Sequence, residues 1–325
     1  MLLLDGRDME GFLDVRRSIE EVRRAHEEQA RGQVQMPPRQ TTDTQDGQNW
    51  LRISQAFLNG SGYMGFKAMN RAAGVGMRYL VGLYRIETGE LLSLMDANWI
   101  TTRRTAATNA LGTHLLAPAG DRTVGIIGSG VQARAFLEAY ATLRVLERVC
   151  VFSPRPESRA DFAKSMGEKI GVPVEALGSA EAVAKECSTV VLAMRAPRSP
   201  VYETAWLRPG VHVTGLSSVR AEAREVQDGV WTGSDLVVVD DRVTVFHSGD
   251  GRAALEAGVV PDDLPELFEL VVGKVGRSGA QEVTLFKSAG NAMQDVAVAV
   301  GAYELALASG AGRSIPDFPE VKTYA

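Results

Sequence analysis

The sequence predicts an α/β protein in two parts, a doubly wound parallel sheet and a discontinuous α+β domain. Three observations carry this. From residue 123 onward, short Val/Ile/Leu runs alternate with helical stretches, as expected of strands buried on both faces and joined by crossover helices. Residues 33–95, by contrast, read as several short strands with turns between them. An Ala-rich stretch over 289–310 reads as a long helix ending at glycine, able to return to the first domain and make it discontinuous.

The elements follow in order. Residues 1–30 end in a charged helical stretch, "VRRSIEEVRRAHEEQARG", with a helix-stop glycine at Gly32. "NGSGYMGFKAM" and "YLVGLYRIETGELLSLMD" supply strands, and "ETGE" between two apolar runs is a hairpin turn. A helix rich in Ala and Thr covers 99–116, and "APAGD" closes it with linker punctuation. The strands that follow are "TVGII", "RVCVF", "VPVEAL", "STVVLAM", "GVHVTGL" and "DLVVVD". Helical stretches starting at Val131, Glu157 and Ser179 separate the first four. No internal repeat or low-complexity tract interrupts the chain.

A chain of 325 residues is long enough for two cores, and 45% hydrophobic with 23% charged residues is ordinary for a soluble globular protein. A net charge of -5 and the lack of a Lys/Arg-rich block argue against nucleic-acid binding. The two cysteines, Cys150 and Cys187, stand beside strand-like runs and read as buried small hydrophobes, which fits a reducing, cytoplasmic setting. The start, "MLLLDGRDMEGF", has too short an apolar run for a signal peptide, and no run reaches membrane-spanning length. His26, His114 and His247 have no metal-ligand spacing, so no metal site is expected, and His212 at a strand end reads as structural.

Chemistry enters at Gly128-Ser129-Gly130-Val131-Gln132-Ala133, a GxGxxA turn between strand "TVGII" and a helix. Gly128 permits the tight turn and Gly130 lets backbone approach a pyrophosphate. Ala133 keeps helix and strand close, and the helix N-terminus offers free N–H groups. This context, rather than the glycines alone, makes the turn a Rossmann-type dinucleotide site. The second strand ends "VFSPRPESR", placing Ser153, Arg155 and Arg159 where a carboxylate would bond the 2′-hydroxyl of NAD. Without that carboxylate, and with arginine able to pair a 2′-phosphate, NADP is favoured over NAD. The plain alternative for Arg155 and Arg159 is that they are solvated loop and helix residues.

"MPPRQ", "GYMGFKAM", "LMDANWITTRRTAATNALG", "IIGSGVQA", "PGVHVTGLSS", "AREV" and "TLFKSAGNAMQD" occur in one order over nearly the whole chain. In these motifs the sequence resembles the ornithine cyclodeaminase/μ-crystallin family. The resemblance implies a substrate-binding and dimerisation domain over 1–117 and 294–325, a Rossmann NAD(P)-binding domain over 118–293, and a homodimer. It also implies that the first domain brings a small imino or amino acid to the cofactor held by the second.

Carried over residue by residue, the resemblance makes Arg39, Lys67 and Arg104 the cations that bind the substrate carboxylate, with Lys67 also catalytic. A carboxylate fixed beside a nicotinamide demands such donors in a dry cleft. Arg104 is preferred to Arg103 by motif alignment. Lys287 and Ser288 of "TLFKSAGNAMQD" are placed at the cofactor, and Gly290 and Asp295 match the same motif without an assigned role. The alternative for this stretch is a strand-to-helix turn with Ser288 capping the helix and Asp295 exposed. Two positions depart from the family: Val219, after Ser218, stands where ornithine-cyclising members carry aspartate, and "ISQAF" replaces "MPA", putting Ser54 and Gln55 at the pocket. The implied activity is reduction of an imino acid, or the reverse amino-acid dehydrogenation. Ornithine cyclodeamination and non-catalytic NADPH binding are the alternatives.

Overall fold

The alternating apolar runs after residue 122 form a sheet of seven parallel strands. The computed structural model describes residues 1–195, 198–216, 220, 222–316 and 318–322. It divides into two units, Thr105–Gly290, which holds this sheet, and Met1–Arg104 with Asn291–Ala325.

From edge to edge the parallel sheet runs Val174–Ala176, Arg148–Phe152, Thr123–Ile127, Thr189–Leu192, His212–Leu216, Thr284–Ser288 and Leu236–Val239. "TVGII" and "RVCVF" match two of these strands end to end. Helices Val131–Leu143, Pro156–Ile170 and Ala180–Glu186 begin within one residue of the expected starts, with Ser179 as the cap of the third. The strand order, however, is not the chain order: Thr284–Ser288 is inserted between His212–Leu216 and Leu236–Val239. Its five residues are all buried, but Lys287 breaks the apolar run by which a central strand is recognised.

The other unit is built on a mixed sheet. Its order is Arg313–Ser314, Leu2–Leu4, Leu91–Asp96, Gly76–Arg85, Tyr63–Ala72, Trp50–Leu58 and Val34–Gln35, with Gln40–Asp43 also paired to Trp50–Leu58. Leu2–Leu4, from the short apolar start, lies parallel to Leu91–Asp96 and antiparallel to Arg313–Ser314, so both ends of the described chain build one sheet edge. Helices Val15–Ala30 and Ala292–Ser309 pack together, the second also on the three long strands.

Register assigns the sheet faces. Ser54 pairs with Lys67 and Lys67 with Val81, while Ala56 pairs with Gly65 and Gly65 with Leu83. A Cβ on Gly65 would meet Val296 at 3.1 Å, so this is the helix-covered face. The opposite face carries Ile53, Ala68 and Leu80 in one cross-strand row, and Leu51, Ile53 and Leu80 are exposed.

The expected boundary at 117/118 differs from the division at Arg104/Thr105. Helix Ala97–Leu116 continues past Arg104, and its later turns pack within the parallel-sheet unit. A Cβ on Gly112 would strike the Phe286 ring at 2.5 Å, and Thr113 and Thr214 share a 2.8 Å hydrogen bond. "APAGD" therefore marks the end of a helix rather than the edge of a unit.

Candidate active site

In the parallel-sheet unit, the turn after Thr123–Ile127 is built around two glycines with different reasons to be glycine. Gly128 has φ +125°, and a Cβ there would lie 2.3 Å from the Ala193 carbonyl oxygen, so the fold itself requires glycine. Gly130 has an extended backbone, and a Cβ would meet nothing within 4 Å. The protein gives no reason for glycine at Gly130; close approach of a ligand does. Helix Val131–Leu143 starts at Gly130 with no side-chain cap, which leaves its first N–H groups for an anion. Gln132 follows with a buried Oε1 that receives no hydrogen bond, and Val131 is exposed at the helix start. The open space at Gly130 and the uncapped helix start fit a dinucleotide pyrophosphate.

At the end of the neighbouring strand, Ser129 Oγ donates to Ser153 Oγ at 2.9 Å, joining the turn to the position where a ribose-binding carboxylate would stand. Arg159 donates to the Ser153 carbonyl at 2.9 Å and lies over the Phe152 ring. Arg159 is thus tied to the strand end, whereas Arg155, at the cap position of helix Pro156–Ile170, is exposed.

Lys287 is held by two carboxylates of its own unit. Its ammonium is fully buried and donates to Glu225 at 2.5 Å and to Asp250 at 2.9 Å. Burial pushes its pKa down, but the two carboxylates outweigh this and hold it above the usual lysine value. Ser288 is buried as well, donating to Asp240 at 3.0 Å, and the Ala289 and Gly290 N–H groups donate to the same carboxylate. It is not the helix cap: Asn291 caps Ala292–Ser309 by accepting from Gln294 N–H. His212 is structural as expected. Its two ring nitrogens bond Thr284 and Thr214 at 2.8 Å each, and burial, helped by Arg277 and Arg144, lowers its pKa to about 3.

In the mixed-sheet unit, strand Tyr63–Ala72 supplies Lys67, and helix Ala97–Leu116 supplies Thr101 and Arg104, one turn apart on one face. Helix Ala292–Ser309 brings Gln294 and Asp295. Lys67 Nζ donates to Asp295 Oδ1 at 2.9 Å and to Thr101 Oγ1 at 2.7 Å, and it stands 5.2 Å from the centre of the Tyr79 ring. Arg104 Nε donates to the same Asp295 oxygen at 3.0 Å, and its Nη1 to Gln294 Oε1 at 3.4 Å.

Among the described residues, two cations, Lys67 and Arg104, therefore share the Asp295 carboxylate. The titration of the group reflects this. Burial pushes Lys67 down to about 8, with Asp295 holding it up and Arg104 and Arg39 pushing it further down. Burial raises Asp295, but Arg104 and Lys67 together bring it below the ordinary aspartate value. Arg39, half-buried, is near enough for its charge to be felt at Lys67.

The structure brings Lys67 and Arg104 together through Asp295, the residue to which the sequence assigned no role and whose alternative was an exposed helical position. Asp295 is only 4% exposed. One signal was present: an aspartate inside "AMQDVAVAVGA", a helix apolar on every side, must find a buried cation. Thr101 and Tyr79 were not singled out, since neither type stands out in its stretch. Of the two departures at "ISQAF", Ser54 is the register neighbour of Lys67 and shares its face, while Gln55 faces the other way. Ser218 and Val219 lie outside the described residues. No group of three His, Cys, Asp or Glu side chains able to hold a metal occurs among the described residues.

The Delta(1)-pyrroline-2-carboxylate reductase of Bacillus thuringiensis subsp. konkukian (strain 97-27) is 31% identical over 240 residues, 73% of either chain. An alanine dehydrogenase of Archaeoglobus fulgidus is 30% identical over 326 residues, 98% of both chains. Among solved structures, Thermococcus litoralis Delta(1)-pyrroline-2-carboxylate reductase, in complex with NADH and L-proline, superposes with a TM-score of 0.89 at 29% identity. It covers 97% of this chain and 100% of its own. The model of the ornithine cyclodeaminase/mu-crystallin family matches residues 2–310, and the chain belongs to that family.

Proposed function

We propose that this protein is an NAD(P)H-dependent oxidoreductase that reduces the C=N bond of a small imino acid to the CH–NH of an amino acid, or runs the reverse dehydrogenation. The observation that carries the proposal is the sharing of one carboxylate by Lys67 and Arg104 in a buried cluster. A buried site with excess positive charge favours an anion, and an imino acid brings a carboxylate next to its reactive carbon. The reductase and dehydrogenase relatives act on compounds of this kind by name.

Each part of the chain then has a task. Lys67 and Arg104, with Arg39, hold the carboxylate and so orient the C=N bond. The Lys67 ammonium, held at the carboxylate, also serves as the proton source for the nitrogen that gains one. The backbone of Gly128–Gln132 holds the pyrophosphate, and Ser153 and Arg155 receive the adenosine ribose. Bound there, the nicotinamide supplies the hydride. A serine in place of the carboxylate, beside an exposed arginine, supports NADP over NAD.

The exposed apolar row on the open sheet face supports a homodimer, because a second copy would remove Leu51, Ile53 and Leu80 from water. Cys150 and Cys187, buried and unpaired, fit the cytoplasm. The test is an NADPH-oxidation screen over cyclic and linear imino acids formed from α-keto acids plus amines. Steady consumption with one of them supports the proposal. Ammonia release from ornithine plus NAD, with no net change in cofactor, would make the protein a cyclodeaminase instead. Valine at position 219, where cyclising members carry an acid, argues against that outcome.

A further inference from the structure

A second cavity in the mixed-sheet unit, about 180 Å³, shares no lining residue with the Lys67 cluster. Helices Val15–Ala30 and Ala292–Ser309 form much of its wall, and strand residues Leu58, Tyr63 and Arg85 complete it. Two of its three carboxylates are balanced within the protein. Glu21 accepts from Arg17 at 2.6 Å and from Arg24 at 3.3 Å, and Glu304 accepts from Arg17 and from the Tyr63 hydroxyl.

Glu28 is different. It is 6% exposed, its Oε2 is buried without a hydrogen-bond donor, and it forms no ion pair among the described residues. A buried carboxylate left in this way calls for a cation with hydrogens to donate.

The same cavity holds a complementary group. Arg85 donates to the Tyr63 hydroxyl at 3.2 Å and stacks over that ring at 4.1 Å, but it pairs with no carboxylate among the described residues. Ala25, Leu58, Ala297 and Val300 give the cavity an apolar wall. One uncommitted carboxylate, one uncommitted guanidinium and an aliphatic surface match the three parts of an aliphatic α-amino acid. The volume limits the ligand to a small one.

We propose that this cavity is a second, non-catalytic binding site for a small aliphatic amino acid in its zwitterionic form, with the ammonium at Glu28 and the carboxylate toward Arg85. The test titrates the full-length Lys67→Met protein, whose substrate-carboxylate site is weakened, with L-valine by calorimetry. Isobutylamine and 3-methylbutanoate, which lack the carboxylate and the ammonium respectively, are run in parallel. The expected result is one saturable L-valine site per chain, with each fragment binding at least about tenfold more weakly, as the loss of one charge-assisted contact implies. Adding Glu28→Gln or Arg85→Met should weaken L-valine by a similar factor, with circular dichroism reporting an intact fold. In the otherwise native protein, Glu28→Gln should leave imine reduction unchanged when no L-valine is present. Absence of saturable L-valine binding to Lys67→Met would overturn the proposal. So would an affinity unmoved by both added variants, or isobutylamine binding as tightly as L-valine.

Discussion

Lys67 and Lys287 both stand in apolar strands, and both are buried, at 3% and 0% exposure, yet their surroundings differ in one respect. Lys287 has two carboxylates, Glu225 and Asp250, the second also facing Arg224, and its ammonium is held charged as part of the fold. Lys67 has one carboxylate that it must share with Arg104, and its pKa falls to about 8. Burial of a lysine therefore does not mark a binding site. The balance of charge around it does: a saturated lysine is structure, and an undersaturated one has capacity for an anion.

Substitution should separate the two roles. Lys67→Met is expected to lower imine reduction by roughly 10²–10⁴-fold, the usual range for losing a group that positions substrate and moves a proton. NADPH affinity, measured by fluorescence titration, should hardly change, because the glycine turn lies in the other unit. Retained turnover in this variant would mean that the two lysines differ in charge balance but not in function.

Lys287→Met should act on stability instead. Asp250 keeps Arg224, but Glu225 is left buried without this cation, a loss of about 3–5 kcal/mol readable as a shift in urea midpoint. Lys67→Met should cost less, since Asp295 keeps Arg104. If Lys67→Met were the more destabilising of the two, the comparison would be reversed.

Arg155→Ala extends the contrast to the cofactor side. It is expected to weaken NADPH by about 1.5–3 kcal/mol, one charge-assisted pair, with little effect on NADH. Equal affinity of the native protein for NADPH and NADH would remove the preference for NADP.

The smallest effect concerns pH. Anion binding requires Lys67 charged, and its depressed pKa means the charge is present below about 8 and lost above it. Affinity for a carboxylate that does not itself titrate in this range, such as cyclopentanecarboxylate, should therefore fall above about pH 8, by at most about tenfold per unit. A flat profile from pH 7 to 10 would show that Lys67 does not carry the binding.

Much of the fold was legible because local pattern and fold agree. "TVGII" and "RVCVF" have no other stable use than buried parallel strands, and the glycine turn follows from their junction with a helix. Strand order was not legible, since Thr284–Ser288 enters the sheet centre by tertiary pairing and its lysine disguises the run. The resemblance singles out Lys67, Arg104 and Lys287 alike, with no account of their partners. Only the positions of Asp295, Glu225 and Asp250 distinguish the two lysines, and those partners are 228, 62 and 37 residues away in the chain. No local pattern reports contacts at such separations.

The most direct measurement is the titration of the two lysine amines by NMR, with and without a bound carboxylate. Lys67 should titrate near 8 in the free protein and move upward when cyclopentanecarboxylate binds, because the added negative charge favours the ammonium. Lys287 should remain charged throughout and ignore the ligand. A Lys67 that titrates at the ordinary lysine value, and does not move when the carboxylate is added, would contradict the assignment of this cluster as the substrate site.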